Sequence, residues 1–182
     1  KNLITDAFCN ITQLKFPANS VQEIRLHHVF EHFYRQTALA LLCAWNSWLC
    51  IDGELCIEVP DFDACINKLT SNHYSYAQKE LIKRHIFGSH EASWAVHCDG
   101  WGKTKFEHVL SKLGFNEISF ECNNGLLSNI TVHAKKTKII NHKELVAAAH
   151  EILKDSQNGP NEINTWQLWC KEFDRQLSIM IL

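Results

Sequence analysis

Apolar and polar residues alternate through Val21, Glu23, Ile24, Arg25 and Leu26 in "VQEIRLH" (21–27), and this predicts a strand. Over 31–50, Phe33, Ala38, Leu41, Leu42, Trp45 and Leu49 recur close to helical period, which predicts a helix starting at Glu31. Alternation returns at Leu55, Ile57 and Val59 in a strand over 54–60, stopped by Pro60, which has no N–H to donate. "IDGE" (51–54) is expected to turn, with Gly53 at the position needing backbone freedom. Strand, helix, turn and strand in this order form a crossover unit of a parallel sheet.

The pattern continues with a helix from Asp61, an acidic cap, to Asn72. Residues 73–100 carry a loop-like stretch rich in His, Trp and Gly. Thr104 is expected to cap a helix whose inward residues are Phe106, Val109, Leu110 and Leu113, with Gly114 as its stop. Segments 115–123 and 127–136 make two strands around "NNG", a hairpin signal. "NLITDAF" (2–8) is a further short strand.

From Thr137 helices take over. Asn141 and Glu144 stand at capping-box spacing before 141–155. Trp166, Trp169, Cys170, Phe173 and Leu177 form an apolar stripe on 162–182. The expected organisation is an α/β domain over 1–136 and a helical extension over 137–182. The Trp stripe packs on the parent domain or serves an interface.

Composition narrows the function classes. A net charge of -2 without a basic block argues against nucleic-acid binding. No apolar run approaches the ~20 residues of a membrane span, and the first residues lack the pattern of a signal peptide. Eight cysteines, none in C-x-x-C, fit reduced and mostly buried thiols in a cytoplasmic protein.

"LHHVFEHF" (26–33) contains the letters H-x-x-E-H at His28, Glu31 and His32, an inverted zinc-peptidase motif. Zinc would need both imidazoles on one helical face. A strand-to-helix corner between them aims them differently, so no metal site is expected and a zinc hydrolase is the weakest reading. Glu31 is explained as a carboxylate at a helix start, stabilised by free N–H groups.

In its larger context, "FPANSVQEIRLHHVFEHFYRQTALALLCAWNSWLCIDGELCIEVPDF" resembles the second half of class I S-adenosylmethionine-dependent methyltransferases. The "FPANS" turn, the "HHVFEH" corner and the "VPD" strand end follow in the family's order. "IFGSHEASWAVHCDGWGKTKFEHVLSKLGF" and the closing hairpin resemble its later segments. The resemblance covers roughly 1–136. It implies a partial Rossmann-like sheet of parallel strands plus a C-terminal antiparallel hairpin, S-adenosylmethionine as cofactor and a small-molecule acceptor.

On this resemblance Asp6 and Ala7 face the adenine, and His27, His28 and Val29 lie beside the methionine part of the cofactor. Pro60 and Asp61 end the next strand. His97, in the loop over the crevice, is the candidate substrate contact or general base. The family's Gly-rich cofactor loop is absent from this sequence, as is the acidic residue that holds the ribose. In the full fold the first two strands lie between the third and fourth, so the fourth strand's edge is left bare. Weak or no cofactor binding follows for this chain. The alternative is a non-catalytic interaction module, with a homodimer formed through that edge or the Trp helix.

Overall fold

The computed structural model describes residues 9–181. The expected strand over 2–8, with Asp6 and Ala7, lies outside them. The chain is α/β: four strands, β1 (Val21–His27), β2 (Leu49–Pro60), β3 (Phe115–Asn123) and β4 (Asn129–Lys136), form one mixed sheet in the order β1-β2-β4-β3. β1 and β2 are parallel, and β4 is antiparallel to both β2 and β3. Leu26 stands opposite Ile57, and Ile57 opposite Val132.

β1 and β2 are joined by α1 (Arg35–Trp48), as the alternation-then-period pattern required. The helix starts four residues later than expected. Phe30–His32 instead form a single 3-10 turn, and Tyr34 precedes α1 without a side-chain cap. Ala38 to Trp45 are buried without a polar stripe. This suits a helix enclosed by the sheet's inward residues and by α5 (His142–Lys154) and α6 (Ile163–Met180).

The expected turn at 51–54 is absent. β2 runs through it, with irregular pairing: Val21 meets Leu49 but Glu23 meets Glu54. Asp52, not Gly53, takes the left-handed backbone, with φ of 64°. Gly53 is needed for space, since a Cβ there would lie 2.9 Å from the Cys50 carbonyl oxygen. The extra residues are absorbed as a bulge rather than a break.

Asp61 caps α2 (Phe62–Thr70) by accepting from the Ala64 N–H at 3.0 Å. α3 (Tyr76–Phe87) lies inside the stretch treated as loop-like, and Ser75 and Gln78 close a capping box at its start. Its mixed polarity hides the period, because only Ile82 and Ile86 are buried, against Cys65, Phe62 and Leu126. α4 (Lys103–Lys112) begins after Gly102, so Thr104 is within the first turn and not its cap. Gly114, with φ of 81°, ends it as expected.

α5 starts at the cap Asn141, which accepts from the Glu144 N–H at 2.9 Å. α5 and α6 pack on α1 and share its core through Leu145, Ala149, Phe173 and Leu177. Trp166 donates its indole N–H to the His150 carbonyl, and Arg35 lies over the Trp169 ring at 5.0 Å. Among the described residues, no helix is long and apolar enough to cross a membrane. None of the eight cysteines is in a disulfide.

Candidate functional site

The corner after β1 is built by one turned histidine and one apolar anchor. His28 continues the ladder by donating its N–H to the Glu58 carbonyl at 3.0 Å. It then takes φ of 52°, in the left-handed region that histidine enters more readily than most residues. Phe30 is fully buried, 5.7 Å from the Trp45 ring and 4.8 Å from the Trp101 ring. Seating Phe30 carries its neighbour Glu31 inward, to 2% exposure.

Glu31 is therefore not the expected helix-start carboxylate. α1 begins at Arg35, and no backbone N–H reaches the Glu31 side chain. Its Oε1 accepts from His28 Nδ1 at 3.2 Å, while Oε2 is buried without a partner. A bare buried carboxylate oxygen is costly and rare.

The loop between α3 and α4 folds onto this corner. The Glu31 backbone carbonyl accepts the Cys98 N–H at 2.8 Å, and the His97 N–H donates to Phe87 at 3.1 Å. Gly88 makes the turn possible, with φ of 92° and the Ala95 carbonyl oxygen 2.2 Å from where a Cβ would stand. His97 is thus brought to the sheet's carboxyl edge. Its Nδ1–H donates to the Ile86 carbonyl at 3.1 Å, so the lone pair sits on Nε2, 4.0 Å from Glu31 Oε1. His32 has the same arrangement: Nδ1–H donates to the Val96 carbonyl at 3.0 Å and leaves Nε2 free. The two rings meet edge to face at 4.7 Å.

Burial pushes the His97 imidazole below its ordinary range, against the pull of Glu31. His28 moves the other way, raised first by its hydrogen bond to Glu31. The two imidazoles are thus pushed in opposite directions.

These groups line an open cleft of about 450 Å³ together with His85 and Trp94. His85 donates toward Asn129 Oδ1 at 2.9 Å, and Asn129 Nδ2 lies 3.2 Å from His28 Nε2. A polar chain therefore runs from α3 through β4 to the corner.

Of the residues the resemblance assigns to the cofactor, Asp6 and Ala7 lie outside the described residues, and the His27 and His28 rings stand 4.8 Å apart, both near Glu58 Oε1. His28 faces the histidine cleft, whereas His27 and Val29 line a separate apolar groove beside β1 with Ile24 and Trp48. His27 is mostly exposed, with Nε2 3.1 Å from Glu58 Oε1.

His97, His28 and the H-x-x-E-H letters were visible in the sequence. The resemblance places His97 over the crevice beside His28, but its approach to Glu31 and His32, made through the α3–α4 loop, is not legible in the sequence. The His-rich composition of that loop was the available signal. His85 and Asn129 carried none.

No family model matches the chain, and no curated protein matches it. A solved structure described as a possible exported protein from Bordetella parapertussis is similar with a TM-score of 0.48 and 15% identity. The similarity covers 71% of this chain and 43% of that one, so the chain spans less than half of that protein.

Proposed function

We propose that this chain is the C-terminal part of a class I S-adenosylmethionine-dependent methyltransferase, carrying its acceptor side. The observation that carries the reading is the sheet: a parallel pair closed by an antiparallel hairpin, with β1 partnered on one side only among the described residues. That is the arrangement the resemblance implies once the first strands are missing, with a Rossmann-like sheet continuing beyond β1. The histidine cleft adjoins the carboxyl ends of β1 and β2, where ligands of open α/β sheets bind.

On this reading the chain's own residues handle the acceptor. His97 Nε2, with its lone pair toward the cleft, takes the proton from an oxygen or nitrogen nucleophile. Ile86 fixes the tautomer through Nδ1. His28, held between Glu31 and Asn129, stiffens the floor. The missing Gly-rich loop leaves this chain a weak cofactor binder. Calorimetry with S-adenosylmethionine on the 182-residue chain is expected to show no saturable micromolar binding. Micromolar affinity would sink the half-pocket reading.

A second reading is favoured by the β1 edge, unpaired among the described residues, and its apolar groove: a non-catalytic module that pairs with a second copy. Sedimentation at several concentrations separates the two, since a strict monomer rules this reading out.

A further inference from the structure

We infer that Glu31, His32 and His97 form a binding site for a first-row divalent metal ion of the zinc class. Donor atoms of these three residues all lie within 4.8 Å of one another. A tetrahedral site with bonds of ~2.1 Å sets its ligand atoms ~3.4 Å apart, so modest side-chain movement closes the set.

Three independent features point to an ion. First, both imidazoles donate Nδ1–H to a backbone carbonyl, Val96 for His32 and Ile86 for His97. This is the outer-shell arrangement that fixes a metal-binding histidine with a free Nε2. Second, Glu31 has a side chain only 3% exposed and one oxygen, Oε2, without any partner. His28 occupies the other oxygen, as an outer-shell partner of a ligating carboxylate does. Third, the set is open on one side to the cleft of about 450 Å³, leaving a coordination position for water or a ligand oxygen. Two imidazoles and one carboxylate select zinc, cobalt or nickel over magnesium and calcium, which prefer oxygen alone.

The site differs from the one the letters H-x-x-E-H suggest. His28 is not a ligand, and His97 from the distant loop takes its place. The inference stands whether or not methyl transfer is the reaction. It does constrain that reading, because a metal on His97 Nε2 uses the lone pair the base role needs. With the ion bound, coordination would instead lower the pKa of an acceptor hydroxyl, and its proton would pass to water in the open cleft.

The test uses the metal-stripped chain titrated with ZnCl2 by calorimetry and with CoCl2 by visible absorption. The expected result is one ion per chain, with cobalt bands of a tetrahedral nitrogen and oxygen set and no thiolate charge-transfer band. His32→Gln and His97→Gln should each weaken binding roughly a hundredfold or more, and His28→Gln about tenfold. His108→Gln, far from the cleft, should leave it unchanged. Far-UV circular dichroism accompanies each variant, and if His97→Gln fails to fold, His32→Gln decides alone. Absent saturation, thiolate bands, or wild-type affinity in His32→Gln would overturn the assignment.

Discussion

Glu31 Oε1 and His97 Nε2 stand 4.0 Å apart, although one residue sits in the 3-10 turn after β1 and the other in the loop between α3 and α4. The contact exists because the backbone of the same glutamate binds Cys98 and because Phe30 pulls the corner into the core. Phe30→Ala should cost roughly 3–5 kcal/mol, as expected for removing a fully buried aromatic ring. It should also speed hydrogen exchange at the Cys98 amide beyond the global loss. Unchanged relative protection of Cys98 would mean that the loop is held elsewhere.

Gly88 is the hinge of that loop. Gly88→Ala must place a Cβ 2.2 Å from the Ala95 carbonyl oxygen at a positive φ. We expect a stability loss of roughly 1–3 kcal/mol in chemical denaturation. The His97 ring resonances should move with it. Wild-type stability would show that the loop can reach the corner by another path.

The C-terminal helices are part of the core rather than an appendage free to melt alone. Phe173 on α6 is fully buried in the cluster that holds Leu41 and Leu145. Phe173→Ala should cost roughly 3–5 kcal/mol and preserve one cooperative transition in tryptophan fluorescence and far-UV circular dichroism. Two separated transitions would contradict a shared core.

On the exposed face of α6, Glu172 accepts from Arg175 at 2.8 and 2.7 Å and from Gln176 at 2.9 Å. These bonds, Arg175 first, hold its carboxyl down at about 2. The folded value is below the ordinary carboxylate range of about 4.3. Its contribution is therefore present above that range and lost as pH falls toward 2. An NMR titration of the Glu172 carboxyl should find its midpoint near 2 in low salt and higher in Arg175→Ala.

The fold was legible wherever burial followed a simple period. The alternation matches β1 and β3 residue for residue, and α5, α6 and the Gly114 stop nearly so. α3 is not legible because two buried isoleucines leave too little period to see. The bulge at Asp52 resembles a turn in sequence, since "IDG" has turn chemistry whether the chain reverses or merely bulges. The role of Glu31 is hidden because a carboxylate near a helix start has a common explanation, and only the burial of Phe30 removes it. The site itself depends on a contact between distant segments, which spacing along the chain does not encode. His28 lines the histidine cleft and Val29 the apolar groove because the left-handed backbone at His28 turns the chain out of β1.

The central proposal, that this chain carries the acceptor side of an S-adenosylmethionine-dependent methyltransferase, is tested most directly by sequencing the coding region upstream of Lys1. The account predicts an in-frame segment that holds the Gly-rich cofactor loop. A start codon directly before Lys1, or an upstream segment without that loop, would contradict it.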